Sequence, residues 1–595
     1  MLSSSLNFIS LNSAPLRRTI LLGVLLCAVS THDVSRCAVS TPLYGEEKTK
    51  PALAANAPTT EKPTKEKPGI PPRKLEPRVP PDAHPLKTTD PVVQFINEQI
   101  RTQWKENEVI PSPFADDSEW LRRVNLDIVG HIPNEKTATE FLREGTKNDD
   151  RREKLLEELL SSPDFARNFA SQWANLLVGR RPPNQIDRAG LQKFLQEQFE
   201  KNRPWNEIVR ALITAEGSQR ENGAVNFLLA HLNDGAVPAT SLSARLFLGT
   251  QIQCTQCHNH PFNDWKQNQF WELNSFFVQM RRVEHRKPNP TTGQMEFDYA
   301  ELVPTNRGGP VYFEQRNGLA KVAYPKYEDQ EISPESGVNR RQELAKLMTR
   351  EDSEPLARAF VNRLWAHFFG VGFVRPVDDL GPHKPPSHPE ILDRLTREFV
   401  AAKFDVKRLV RWICQSEAYQ LTSQEQGGNT KDDPAAGSTP LFSHMQVKSL
   451  TAEQLYDSMM IATYAYAGEN PRWDEWDRER QGWMQQFVQN LGTDENDEST
   501  TFNGTIPQAL MMMNGALMRN ALNPEKTGLL KELVSSSQKD TKKVQRLYLA
   551  TLNRVPSGRE MNAARNILSG SGGEIPALQD LLWALLNCNE FISNH

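Results

Sequence analysis

The chain has 595 residues, 70 basic and 74 acidic side chains, and a net charge of −4. That balance, with no basic block carrying interleaved aromatics in the folded part, argues against nucleic-acid binding. Six cysteines are far too few to staple a chain of this length, so the fold must rest on hydrophobic cores, and the length suffices for two or more.

The N-terminus reads as a secretory signal. Arg17 and Arg18 supply the positive region, and residues 20–29 form an apolar run too short for a comfortable membrane span. Ala28-Val29-Ser30 and Ala38-Val39-Ser40 are small-x-small cleavage candidates. Residues 1–40 are therefore expected to direct export to the periplasm, cell envelope or exterior, and no later stretch is apolar enough for a membrane span in the mature chain. Residues 41–89 are rich in Pro, Lys, Glu, Ala and Thr. Such a segment buries too little apolar surface to offset its ordering entropy, so a disordered tether is expected there.

The fold class expected beyond it is mainly α: two helical domains, 90–286 and 336–595, joined by a small β-hairpin insert over 287–335. Asp90-Pro91 starts a helix striped by Val93, Ile96, Ile100 and Trp104. Asp150 with Glu153 reads as a capping box, and Ser162-Pro163 opens a helix with Phe165, Phe169, Trp173 and Leu177 four apart. Leu191, Leu195 and Phe199 mark another. Asp264 with Gln267 reads as the start of a helix carrying Phe270, Leu273 and Phe277. In the insert, two β-prone runs flank Asn317-Gly318, a favoured hairpin turn pair. Ser353 then opens a helix striped by Leu356, Phe360, Leu364 and Phe368 and ending at Gly370, with further starts at Ser387, Asp405 and Thr451.

Between two helices of the first domain lies Cys254-Thr255-Gln256-Cys257-His258, the Cys-x-x-Cys-His pattern to which a c-type haem is attached. Two thiols at i and i+3 suit the two vinyl groups, and the following histidine suits the iron. Three readings compete. The first is haem c bound through Cys254 and Cys257, with His258 on iron. The second is a plain disulfide with no cofactor. The third is zinc or another transition metal on Cys254, Cys257, His258 and His260, whose crowding within seven residues does not suit the two separated ligand pairs usual for zinc. Phe262 and Trp265 are candidate haem walls, whereas Phe270 and Phe277 read better as core. The methionines at 511, 512, 513 and 518 also read as core.

A second constellation comprises Asn362, Arg363, His367, Asp378, Asp379 and His388. Of these, Arg363, His367, Asp378, Asp379 and His388 are the catalytic candidates, since carboxylates beside histidines suit metal binding or acid–base chemistry. The competing reading is a buried polar network that locks helices together. The acidic stretch 493–498 lacks the glycine and glutamate of a calcium-binding hand and reads as a solvated loop. No Gly-rich phosphate loop and no Gly-x-Ser-x-Gly elbow appears, which argues against nucleotide-dependent enzymes and α/β serine hydrolases.

Taken together, Gln253-Cys254-Thr255-Gln256-Cys257-His258-Asn259-His260-Pro261-Phe262 with Trp265, the run from Phe360 to Gly370, Pro386-Ser387-His388-Pro389-Glu390 and the segment 578–595 carry a likeness. Over residues 92–595 the chain resembles planctomycete-type secreted proteins that pair a cytochrome-c-like domain of unknown function with an associated C-terminal domain of unknown function. The resemblance implies an exported haem-c-type electron-transfer or redox protein, with a redox partner or envelope protein as its counterpart. The insert between the halves is small here, which argues against a role needing a second haem. The alternatives from other classes are a structural or interaction module of the cell envelope and a metal-assisted hydrolase centred on the C-terminal domain.

Overall fold

The computed structural model describes residues 79–80, 83–144, 150–183, 185–465, 479–484, 486–487, 511–525, 528–570 and 572–595. The expected signal region, most of the tether and the acidic stretch 493–498 lie outside them. The architecture is about 53% helical, with small sheets.

The first helices form where cap and stripe coincide. Helix α1 (Pro91–Glu106) starts on Asp90, whose carboxylate accepts from the Val92 amide at 2.8 Å, and its apolar stripe is buried. It is followed by α2 (Asp117–Ile128), α3 (Glu135–Glu144) and α4 (Arg151–Ser161). Asp150 precedes α4 without capping it through its side chain. Then come α5 (Pro163–Val178), capped by Ser162, α6 (Arg188–Glu200) and α7 (Trp205–Ile213). The tether expected to reach residue 89 in fact ends earlier. Ala83 is buried, His84 Nδ1 lies 2.8 Å from the Asp117 carboxylate, and the Leu86 amide bonds to the Gln420 side chain. Those partners come from remote parts of the chain, so local composition gave no sign of them.

After β1 (Gly217–Ser218), α8 (Val225–Leu229) and α9 (Asn233–Phe247), the chain makes a 3₁₀ turn over Gln253–Gln256 and enters α10 (Gln267–Asn274). Helix α10 starts after Lys266, whose amide donates to the Gln269 side chain at 2.8 Å, and not on an Asp264–Gln267 box. Next is a long antiparallel hairpin of β2 (Met280–Pro288) and β3 (Met295–Pro304), with β1 on the far edge of β3. The β segment therefore begins before residue 287 and is larger than expected. The Asn317-Gly318 hairpin is present as β4 (Val311–Glu314) and β5 (Ala320–Ala323), with Gly318 at φ +81°. A short pair, β6 (Lys326–Tyr327) and β7 (Gln330–Glu331), closes the segment.

Helices resume with α11 (Arg340–Met348), α12 (Glu354–Phe369), α13 (Pro389–Ala401) and α14 (Val406–Gln415). Strand β8 (Lys448–Ser449) and α15 (Ala452–Ala462) follow. Further elements among the described residues are α16 (Ala516–Ala521), α17 (Gly528–Ser535), α18 (Asp540–Leu552), α19 (Gly558–Leu568), α20 (Glu574–Leu586), α21 (Asn589–Ile592) and β9 (Ser593–Asn594), which pairs with β8.

Packing does not part at the β segment. One core joins helices from both sides of it: Trp173 and Trp205 have ring centroids 4.3 Å apart, and Trp205 and Phe360 4.5 Å. A second core gathers residues from Leu450 onward with Leu126 and Ile132, and it includes Met512 and Met518. Asp127, 1% exposed, ties the two together. Its carboxylate accepts from Tyr419 Oη at 2.8 Å, Lys448 Nζ at 2.7 Å and Asn594 Nδ2 at 2.7 Å. Among the described residues no helix is long and apolar enough to cross a membrane.

Candidate functional site

The Cys-His loop projects between α9 and α10. Cys254 and Cys257 are both exposed and both free thiols, with no disulfide between them. Between them Thr255 is buried, with its hydroxyl on the Ile252 carbonyl at 2.6 Å, so the turn presents its two thiols outward from a fixed root. Three elements hold that root. From α10, the Gln267 side chain donates to the carbonyls of Gln256 (2.9 Å) and Glu314 (3.0 Å), and the Trp271 indole donates to Gln256 at 3.2 Å. The first bond is made within the loop's own neighbourhood, and the second ties it to β4.

The two histidines of the loop are not equivalent. His258 Nδ1 lies 2.7 Å from the Asn259 carbonyl, which only accepts, so in the neutral ring the proton sits on Nδ1 and the lone pair on Nε2. His260 is the reverse. Its Nδ1 accepts from the amides of Phe262 (3.2 Å) and Asn263 (3.0 Å), so in the neutral ring Nε2 carries the proton and acts as a donor. Desolvation, with His383 and His258 nearby, lowers the His260 pKa despite the opposing field of Asp379. In that tautomer His260 presents an N–H at Nε2, and among the described residues no three His, Cys, Asp or Glu side chains are grouped to hold a metal ion. Phe262, 75% exposed, stands beside His260 as an uncovered apolar face. Phe270 and Phe277 are fully buried core.

The third support comes from far along the chain. The segment after α12 folds back over the loop. Asn362 on α12 shapes it, donating to the carbonyls of Val374 (3.3 Å) and Val377 (3.0 Å) and accepting from the Val374 amide (3.1 Å). Asp378, 1% exposed, accepts from Gln251 Nε2 at 2.7 Å and pairs with Arg245 of α9. The Leu380 amide donates to Gly249 at 2.7 Å. Asp379 is then placed at the loop, with one carboxylate oxygen 3.2 Å from His383 Nε2 and the other 2.7 Å from Lys384 Nζ. Burial alone would raise the Asp379 carboxyl, but Lys384 and His383 outweigh it and hold the group below the usual carboxylate range. The His383 ring faces His260, centroids 6.0 Å apart. Burial first, and then the Asp379 charge, push the Cys254 thiol up. Gln251, Gln253, Cys254 and His260 line an open pocket at this junction.

The candidate constellation of the second domain is therefore divided. Asp378 and Asp379 belong to the Cys-His loop. His367 instead lies within 2.8 Å (Nε2) of the Asp127 carbonyl and packs edge-on against Phe169 and Phe368, while its own carbonyl accepts from Lys448. Burial lowers its pKa. His388, at the N-cap of α13, is 2% exposed among Phe373 and Phe442, and burial lowers its pKa to about 4. Arg363 is half-buried on α12, one turn from His367. His367 thereby ties α12 to α2, and His388 is packed among aromatic rings. His383, absent from the sequence-based candidates, joins Asp379; it sits in a Pro-rich loop without periodicity, and only its closeness in sequence to Asp379 hinted at it.

A further cavity of about 290 Å³ is lined by Arg180, Arg181, Asp187, Arg188, Gln481 and Met484 among others. Two of its cations serve the scaffold. Arg180 forks onto Glu453 at 2.8 and 3.0 Å, and Arg188 donates to Gln192 and Asn175.

Fold and site together define a mainly α-helical protein whose exposed Cys-x-x-Cys-His loop is clasped by an acidic segment of its second half. Residues 95–282 match the family described as PSCyt2, protein of unknown function (DUF1549), and residues 340–568 match PSD1, protein of unknown function (DUF1553). The two occur in the order typical of planctomycete proteins. No curated protein and no solved structure matches the chain.

Proposed function

We propose that this is an exported one-haem redox protein, with haem c attached through Cys254 and Cys257 and His258 on iron. The observation that carries the reading is the state of the loop: two free, exposed thiols on one 3₁₀ turn, followed by an imidazole whose Nδ1 proton is fixed on Asn259, leaving Nε2 for a metal. A bound haem supplies a one-electron couple. The chain's residues supply the rest. Gln267, Trp271 and Leu380 fix the loop, Phe262 offers an apolar face, and His260 offers a preset N–H donor at the pocket beside Cys254. His367 and His388 take structural roles, which weighs against a hydrolase centred on the second half.

The test is expression of the full chain with an export signal in a host that matures haem c. Covalent haem should survive denaturation, visible as a Soret band and as added mass on the peptide containing Cys254 and Cys257. An unmodified mass with the maturation machinery present refutes the reading; the two cysteines found joined as a disulfide would favour an envelope structural module instead.

A further inference from the structure

We infer that Asp379, carried by the second matched region, sets the redox potential of the group held at Cys254, Cys257 and His258. This rests on the haem reading and adds to it the residue that tunes the couple. The geometry is specific. Asp379 follows the buried Asp378, which is pinned to Arg245 and Gln251 of the first region, and precedes Leu380, whose amide bonds to Gly249 five residues before Cys254. The carboxylate is thus delivered to the loop on a backbone seated at both sides. It is 9% exposed and held by His383 at 3.2 Å and Lys384 at 2.7 Å. The His383 ring it holds faces the His260 ring of the loop, centroids 6.0 Å apart. The loop is also anchored on this side by close packing, since a Cβ on Gly249 would come within 2.6 Å of Leu380 Cδ1.

A charge so placed is only partly screened by solvent and salt. The oxidised form of a one-electron iron couple carries one more positive charge than the reduced form. A fixed carboxylate beside it stabilises the oxidised form and lowers the potential. Lys384, on the same carboxylate but 36% exposed, opposes this. The two residues therefore pull the potential in opposite directions, which a merely structural role for either would not do.

The experiment is a spectroelectrochemical titration of the haem-loaded full chain and of Asp379→Asn, Lys384→Gln and the double variant, with covalent haem verified by mass in each. Asp379→Asn should shift the midpoint potential upward, Lys384→Gln downward, and the double variant should return close to the parent. Haem present with unmoved potentials, or single variants shifting in the same direction, overturns the inference and leaves the haem reading standing. A parent chain without covalent haem overturns both. Should Asp379→Asn fail to accumulate, Lys384→Gln decides alone: a downward shift supports the inference, and an unmoved potential overturns it.

Discussion

Replacing Lys448 with methionine strips the buried Asp127 carboxylate of the cation that bonds it. Lys448 Nζ makes three short contacts: 2.7 Å to Asp127, and 2.8 Å to each of the carbonyls of His367 and Phe368 at the end of α12. Asp127 keeps Tyr419 and Asn594 as neutral donors, so it would remain a charge buried at 1% exposure without a counter-charge at bonding distance from Lys448. Removing one partner of a buried ion pair costs roughly 3–5 kcal/mol. The expected destabilisation is thus about 3–5 kcal/mol. The methionine fills most of the vacated volume, so little of this comes from a cavity. The assay is equilibrium urea unfolding of parent and variant, followed by tryptophan fluorescence and circular dichroism to check that the transitions coincide. Asp127→Asn combined with Lys448→Met should recover part of the loss, since no buried charge then remains. A loss below about 1 kcal/mol, the range of exposed pairs, would refute the reasoning.

Two other expectations follow from single residues. His388 is neutral and buried when folded, with a pKa near 4 against an ordinary 6.5, so only the unfolded chain binds its proton between those values. Stability from this residue should be intact above pH 6.5 and lost as the pH falls toward 4. At about 1.4 kcal/mol for each tenfold change in proton affinity, the loss is about 3 kcal/mol. His388→Leu should flatten the stability–pH curve in that window, and an unchanged curve would contradict the assignment. Gly249 has φ +64°, and an added Cβ would lie 2.6 Å from Leu380 Cδ1 and 3.1 Å from Ala359 Cβ. Gly249→Ala should cost about 1–3 kcal/mol in a thermal or urea melt and speed amide exchange at Leu380; unchanged melting and exchange would show that the clasp is not tight.

Helices were readable wherever a cap and a stripe of apolar residues fell together, as at Asp90, Ser162, Asp405 and the Thr451–Gln454 capping box. The long β2–β3 hairpin escaped because its strands bury few residues: β2 is dense in Arg, Lys and Glu, and much of its length is exposed, so no alternation of apolar and polar positions marks it. The cap of α10 escaped for a different reason. A lysine side chain accepts no hydrogen bond, so only Gln269, accepting from the Lys266 amide, caps this start, and that half-box has no standard sequence signature. At the site, Cys254, Cys257 and His258 stood out by motif alone. Their setting did not. Asp378 meets Arg245 across 133 positions and Gln251 across 127, and nothing local in either segment points to the other. Sequence also grouped His367 and His388 with the two aspartates because they are neighbours along the chain, whereas the fold sends each into a different contact.

The loop's own bonding explains why a second segment has to clasp it. Between Gly249 and Lys266 few backbone bonds lie outside the 3₁₀ turn itself: Thr255 to Ile252 at 2.9 Å, Cys257 to Cys254 at 3.3 Å and His260 to Trp265 at 2.8 Å. Fixing each residue's backbone costs roughly 1–2 kcal/mol of conformational entropy, and so few local bonds with exposed side chains do not offset that over such a stretch. The order must be imported. Gln267 and Trp271 supply it from α10, the Glu314 carbonyl from the β segment by way of Gln267, and Asp378 and Leu380 from beyond α12. A core that runs unbroken from α1 to α14 holds these donors in place. On this argument, the loop draws its order from both matched regions. The first region carries the cysteines and histidines, and the second supplies the charge and the clasp without which they would lack a fixed geometry.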